Sequence, residues 1–225
     1  MTSSLSIVVP ALDEAEAIET TLRALAPLRA RGAEVIVADG GSADATAARA
    51  LPLADRVATA PRGRARQMNA GAALASGDVL LFLHADTLLP RDADRHVRRA
   101  VDAGAAWGRF DVRIAGRPRM LVIVAGLMNA RSRWTGVATG DQAIFVRRAV
   151  FERLGGFPDQ PLMEDVELTR RLREIGRPAC LRVRVTTSGR RWETRGVWRT
   201  IFLMWRLRWR YWRGESPQAL AEAYR

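Results

Sequence analysis

Acidic side chains recur in this sequence at the ends of apolar runs. Asp13 and Glu14 follow the run that ends at Pro10, Asp39 closes residues 34–39, and His84 and Asp86 come directly after residues 79–83. A carboxylate so placed can hold a divalent cation, accept hydrogen bonds from hydroxyl or amide groups of a ligand, or take a proton. A second group, Glu164, Asp165 and Glu167, opens a helical pattern over residues 162–175. Adjacent residues on a helix point about 100° apart, so only one of Glu164 and Asp165 can face a given substrate atom. Each residue also has a plainer reading. Asp39 before Gly40-Gly41 suits a turn, Asp86 suits a helix N-cap, and acids in a first helical turn complement the helix dipole.

The elements that must position these groups alternate. Residues 6–10 read as a buried strand and residues 15–30 as a helix with Ile18, Leu22, Leu25 and Leu28 at helical spacing. The strand at 34–39 is followed by a turn at Gly40-Gly41-Ser42 and a helix at 43–50 capped by Ser42; a helix at 65–75 precedes the strand at 79–83. Continuous apolar strands alternating with helices predict an α/β fold, an open twisted sheet that is mostly parallel and covered on both faces. Ligands of such sheets sit beyond the carboxyl ends of the strands, where the acids lie. Past Pro90 the rhythm changes: strands at 107–114 and 142–146, an apolar helix at 120–131 and the helix at 162–175 form a small mixed-sheet region of the same domain.

Several segments, in order, resemble the family-2 glycosyltransferases. Ser6-Ile-Val-Val-Pro-Ala-Leu-Asp-Glu14 resembles the opening strand and Pro-x-x-Asn-Glu turn. Asp39-Gly-Gly-Ser-Ala-Asp-Ala-Thr46 resembles Asp-Asp-Gly-Ser-x-Asp-x-Thr, and Arg66-Gln-Met-Asn-Ala-Gly71 the Arg-Asn-x-Gly segment. Leu83-His-Ala-Asp86 stands where the Asp-x-Asp metal motif belongs, Met163-Glu-Asp-Val-Glu167 resembles the Glu-Asp catalytic segment, and Arg190-Arg-Trp192 is similar to Gln-x-x-Arg-Trp. The resemblance covers roughly residues 5–195. His-Ala-Asp, Gly140-Asp-Gln142 and Met-Glu-Asp-Val-Glu together resemble a compact bacterial subgroup labelled arsenosugar-biosynthesis glycosyltransferases.

The resemblance implies a GT-A fold, a nucleotide-sugar donor and inverting, metal-assisted transfer to an acceptor hydroxyl. Asp165 is then the catalytic base and Asp86 the ligand of a divalent metal, Mg²⁺ or Mn²⁺, that neutralises the pyrophosphate. Pro10, Glu14, Asp39, Arg66, Asn69, Gln142, Glu164, Arg191 and Trp192 are the expected substrate-binding residues. The chain departs from the pattern at two places: Gly40 replaces a second Asp, removing a nucleoside contact, and His84 replaces the first Asp of the metal motif.

Composition sets limits on the class. With 48% hydrophobic and 27% charged residues the chain reads as globular, and a single Cys180 excludes an internal disulfide and suits a reducing, cytoplasmic setting. The longest apolar stretch, 120–128, falls far short of the roughly 20 residues that span a bilayer. Of the net charge of +12, most sits in residues 181–225, which hold 11 Arg against 3 acids. The domain is therefore expected over 1–196, with a basic, Trp-rich amphipathic helical tail over 197–225. In that tail Trp198, Ile201, Phe202, Trp205, Trp209 and Trp212 share one side of a helix, and Arg199, Arg206, Arg210 and Arg213 the other. Such a stripe opposite an Arg face suits an anionic membrane interface, and so peripheral attachment to the inner face of the cytoplasmic membrane with a lipid-linked acceptor; packing of the stripe on the enzyme body is the alternative. A nucleic-acid-binding role is suggested by the pI near 11.5 but meets no binding motif and acidic sheet ends. A nucleotidyltransferase would open with a Gly-rich basic phosphate loop, where this chain has Pro10-Ala-Leu-Asp-Glu14.

Overall fold

The computed structural model describes residues 3–224. In chain order, β1 (Leu5–Ala11), α1 (Ile18–Arg29), β2 (Ala33–Asp39), α2 (Thr46–Ala50), β3 (Arg56–Thr59), α3 (Arg64–Leu74) and β4 (Val79–Phe82) form the first half. Their strands pair in parallel as β3-β2-β1-β4. Alternation along them feeds two cores: Ile7, Val9, Val35, Val37 and Leu81 join Leu22 and Leu25 of α1 on one face, while Val8, Ile36, Leu80 and Phe82 meet Met68 of α3 on the other. Burial on both faces is why these strands read as unbroken apolar runs.

The second half runs β5 (Thr87–Leu88), α4 (Ala93–Asp102), β6 (Trp107–Ile114), α5 (Met120–Thr135), a 3-10 turn at Gly140–Gln142, β7 (Phe145–Arg147), α6 (Arg148–Arg153), α7 (Glu164–Ile175), β8 (Ala179–Thr187), α8 (Arg190–Arg195), α9 (Val197–Trp212) and α10 (Pro217–Tyr224). These strands extend the sheet as β4-β7-β6-β8-β5, with β7 antiparallel to both neighbours and β8 parallel to β6. The result is one eight-stranded mixed sheet with parallel pairs in the majority.

Three local expectations change. The strand expected at 142–146 begins only at Phe145, because Gln142 is fully buried in the 3-10 turn, donating to Ser132 Oγ at 3.1 Å and Asn129 Oδ1 at 3.3 Å. Ser42 does not cap the next helix: its hydroxyl donates to Asp39, and Asp44 Oδ1 accepts the Thr46 N–H at 2.9 Å instead. Asp86 is not an N-cap either, since the following helix starts at Ala93 and β5 intervenes.

The C-terminal helices pack on the body mainly through a face other than the Trp stripe, although Ile201, expected in that stripe, turns inward against the main core. Leu207 of α9 and Leu220 of α10 are buried with Met163, and Leu203, Met204 and Tyr211 pack around them. Trp198, Phe202, Trp205, Trp209 and Trp212 remain exposed. No helix among the described residues is long and apolar enough to cross a membrane.

Candidate active site

A cavity of about 800 Å³ opens beyond the carboxyl ends of β1 and β4. Pro10 and Glu14 line it from the β1 end, His84 and Asp86 from the β4 end, Arg64 from the start of α3, and Glu164 and Asp165 from the start of α7. Arg190, Arg191 and Trp192 of α8 close one side, and Met204, Leu207 and Arg208 of α9 with Tyr224 of α10 another. Seven of the residues expected from the sequence thus meet in one space: Pro10, Glu14, Asp86, Glu164, Asp165, Arg191 and Trp192.

Backbone conformation concentrates around this space. The three non-glycine residues with positive φ among the described residues are Asp13 (53°), Ala143 (46°) and Met163 (65°), and they adjoin Glu14, the Gly140–Gln142 turn and Glu164. Left-handed φ is costly for a side chain as bulky as Met, and such strain tends to be kept where it aims a functional group. Here it turns the chain into α7 so that Asp165 faces the cavity. Asp165 Oδ2 accepts the Gly140 N–H at 2.7 Å and Oδ1 the Val166 N–H at 2.7 Å, which fix the carboxylate.

Glu164 is nearly fully buried, 3.4 Å from Arg64 Nη1. Burial, reinforced by the neighbouring Asp165 charge, pushes its pKa up against the pull of Arg64. Opposite, His84 Nδ1 lies 3.4 Å from Asp141 Oδ1. Burial acts to raise the Asp141 pKa, but the His84 contact, with Arg64 and Arg191, holds it below the usual carboxylate range. The His that replaces the first acid of the metal motif is therefore paired with a carboxylate brought in from the Gly140–Gln142 turn. A Cβ on Gly140 would overlap His84 Nε2, so glycine is required for this approach.

The other departure has a similar cause. An ideal Cβ on Gly40 would lie 2.8 Å from Gln67 Nε2, whose amide donates to Ala11 O at 2.6 Å and Ala38 O at 3.2 Å. The Gln67 amide fills the space into which a second Asp would project.

Asp39 sits beside this cavity rather than on its wall, paired in register with Ala11. It is the turn residue that its position allows: its carboxylate accepts from Gly41 N at 3.1 Å, Ser42 N at 3.0 Å and Ser42 Oγ. A carboxylate has about four acceptor positions, so one is left for a ligand. Arg66, Asn69 and Gln142 do not line the cavity. Arg66 pairs with Asp159 at 2.7 Å, Asn69 holds both the N–H and the C=O of Phe157, and Gln142 is tied as described. Arg64, Arg208 and Tyr224 carry no motif in the sequence, and Asp141 stands there only within Gly140-Asp-Gln142, with no role attached. The Tyr224 ring lies 4.4 Å from the Arg191 guanidinium, a contact no spacing announces.

Among the described residues no group of three or more His, Cys, Asp or Glu is arranged to hold a metal by itself. Asp86 is the available carboxylate at the β4 end, which fits a cation bound through one carboxylate plus substrate phosphates and water.

Residues 6–155 match the model of glycosyl transferase family 2. The chain is 28% identical to the probable glycosyltransferase YdaM of Bacillus subtilis (strain 168), over 94% of this chain and 55% of that protein, so it spans about half the relative's length. Among solved structures it resembles the mannosyltransferase PcManGT from Pyrobaculum calidifontis in complex with GDP-Man and Mn²⁺, with a TM-score of 0.66, 24% identity and coverage of 92% of this chain and 61% of that one. It also resembles S. aureus TarS residues 1–349, with a TM-score of 0.65, 17% identity and coverage of 83% and 60%. Glucosyl-3-phosphoglycerate synthase from Mycobacterium tuberculosis, in complex with Mn²⁺, UDP and glucosyl-3-phosphoglycerate, gives 0.61 at 22% identity, covering 82% and 71%. These likenesses establish the GT-A fold expected from the sequence.

Proposed function

The chain belongs to glycosyl transferase family 2, and from that premise we propose that it moves a sugar from a nucleoside diphosphate sugar to an acceptor hydroxyl with inversion, using Asp165 as base. The observation that carries this reading is that one cavity is lined by Asp86 at the β4 end, Asp165 at the start of α7, and Arg64, Arg190 and Arg191. Such a space suits a diphosphate flanked by guanidinium groups, with a carboxylate beyond the sugar.

In this reading the diphosphate lies at the β4 end and the nucleoside extends toward the turn at Asp39, whose remaining acceptor position takes a base N–H or ribose hydroxyl. A divalent cation, Mg²⁺ or Mn²⁺, held by Asp86 together with phosphate oxygens, would neutralise charge on the leaving group. The acceptor oxygen attacks the anomeric carbon from the face opposite the diphosphate. As that C–O bond forms, the bond from the anomeric carbon to the phosphate oxygen breaks, the nucleoside diphosphate departs with the electron pair, and the acceptor proton passes to Asp165. Glu164, buried beside Arg64, orients that guanidinium instead of taking the proton. The exposed face of α9 attaches the enzyme peripherally to an anionic cytoplasmic membrane surface.

The neighbours in complex with GDP-Man and with UDP support a nucleotide-sugar donor of this general kind. A thermal-shift screen against a panel of nucleotide sugars, with and without Mg²⁺ or Mn²⁺, tests the reading, because a ligand that binds only the folded state stabilises it by mass action. Stabilisation by at least one nucleotide sugar is expected. Failure of every donor to stabilise the chain or to be hydrolysed by it would overturn the assignment.

A further inference from the structure

Two helices present apolar faces that nothing among the described residues covers. On α9, Trp198, Phe202, Trp205, Trp209 and Trp212 are each more than half exposed, and on α5 so are Val122, Ile123, Leu127 and Trp134. Neither helix lacks a buried face of its own. Leu121, Val124 and Ala125 of α5 are in the main core, and Leu207 of α9 is packed with Met163. The exposed residues are therefore surplus to folding, and a run of large exposed apolar side chains marks an interaction surface.

Charge identifies what meets it. Residues 112–140 contain five Arg and no Asp or Glu, and residues 194–214 contain six Arg and no Asp or Glu. A second copy stacked face to face would bring like charges together, which is unfavourable. An anionic lipid surface answers both features: Trp at the level of the headgroups, and Arg attracted to their charge.

Between the two helices lies a groove of about 570 Å³, lined by Arg131 of α5 and by Phe202, Trp205, Arg206, Arg208 and Trp209 of α9. Arg131 Nε and Nη2 are buried and have no hydrogen-bond partner among the described residues. Arg208 lines both this groove and the catalytic cavity, and Arg131 feels the charges of Asp165 and Asp141 on the cavity side. The groove thus abuts the site of transfer.

We propose that the acceptor is an anionic membrane lipid. The α5 and α9 faces rest on the headgroup layer of an anionic bilayer, the lipid phosphate sits on Arg131, Arg206 and Arg208, and the lipid hydroxyl enters the cavity past Arg208. This rests on the glycosyl-transfer reading given above, and it adds α5 and the Arg-lined groove to the tail as parts of one surface.

Flotation of the full chain with vesicles of phosphatidylglycerol and phosphatidylcholine, compared with phosphatidylcholine alone, tests it. Strong, salt-sensitive binding is expected only with phosphatidylglycerol. Leu127→Glu on α5 and Trp205→Glu on α9 are each expected to weaken that binding about tenfold, the equivalent of roughly 1.4 kcal/mol. Neither lines the catalytic cavity, so nucleotide-sugar binding and hydrolysis should be retained, which also shows that the variants are folded. Equal binding to both vesicle types, or an unaffected Leu127→Glu variant, would overturn the proposal. So would a dimer in sedimentation equilibrium that the same variants dissolve, since a second copy would then cover the face. Nucleotide-sugar binding without vesicle binding removes the lipid alone, whereas vesicle binding without any nucleotide-sugar binding removes the transfer reading on which the acceptor depends.

Discussion

Asp165 and Gly140 are joined by a 2.7 Å hydrogen bond from the Gly140 N–H to the Asp165 carboxylate. Through it the start of α7 is tied to the turn that carries Asp141, and Asp141 in turn meets His84 at the end of β4. Three distant segments therefore share one small hub. Adding a methyl group at Gly140 must displace the His84 ring or the turn itself. Gly140→Ala is expected to reduce kcat about a hundredfold, the scale of loss when a reacting geometry shifts by an ångström. Nucleotide-sugar affinity should change much less. Unchanged turnover in Gly140→Ala would mean that the hub does not set the geometry of the base.

The adjacent carboxylates are separable by substitution. Asp165→Asn keeps the side-chain size and is expected to retain donor binding while transfer falls by about two to four orders of magnitude, the range for a lost general base. Glu164→Gln should leave most of the rate. Steady-state transfer assays on the two variants check the assignment, and the reverse pattern would exchange the roles.

Glu164 also makes a prediction about stability. Its pKa is raised in the folded protein, chiefly by burial, so the folded state holds the proton more tightly than the unfolded chain does. The stabilising contribution is complete below the unfolded value of about 4.3 and is lost as pH rises through the folded value. Glu164→Gln does not undergo this loss. The Tm of the variant relative to the parent should therefore increase as pH rises above about 4.3, then level off. A constant difference across that range would mean that Arg64 fully compensates the buried charge.

How far this was legible in the sequence depended on where each residue gets its environment. β1, β2 and β4 are buried on both faces, so their runs of Val, Ile and Leu announced them, and the acids at their ends came with them. β3 is half exposed at the sheet edge, and β8 alternates between partly buried and exposed positions with Arg182 and Arg184 in its middle; neither offers an apolar run, and both went unread. The site divided in the same way. Asp86 and Asp165 could be seen as motif residues, but the pairing of His84 with Asp141, and Gln67 filling the space at Gly40, depend on segments far apart in the chain. The exposed half of α5 was hidden for another reason: residues 120–128 are apolar all round, so composition could not tell which side is covered.

Asn69 provides a test of a structural role. Its Nδ2 donates to Phe157 O at 2.8 Å and its Oδ1 accepts from Phe157 N at 2.9 Å, closing the loop after α6 against α3. Asn69→Ala leaves both backbone groups without these partners. A loss of about 1–3 kcal/mol is expected, read by urea unfolding, with nucleotide affinity little changed. Weakened nucleotide binding at unchanged stability would instead return Asn69 to the donor site.

Carboxylates and arginines offer two ways to neutralise a diphosphate in the same cavity. No cluster of three metal-ligating side chains exists among the described residues, so a cation held through Asp86 needs the nucleotide phosphates to complete its coordination. Binding should then be coupled: Mn²⁺ alone gives little stabilisation, a nucleoside diphosphate alone gives some through Arg64 and Arg191, and the two together give more than the sum. At a concentration one hundred times Kd a ligand stabilises by about 2.7 kcal/mol, which for a chain of this size raises Tm by about 5–10 °C. Asp86→Ala should remove the Mn²⁺-dependent increment and leave the part owed to the arginines. Arg64→Gln should do the opposite, lowering affinity with and without the cation. If chelator has no effect on nucleotide binding by the parent chain and Asp86→Ala binds equally well, the guanidinium groups alone neutralise the diphosphate, and the replacement of the first motif acid by His84 marks a site that has given up its metal.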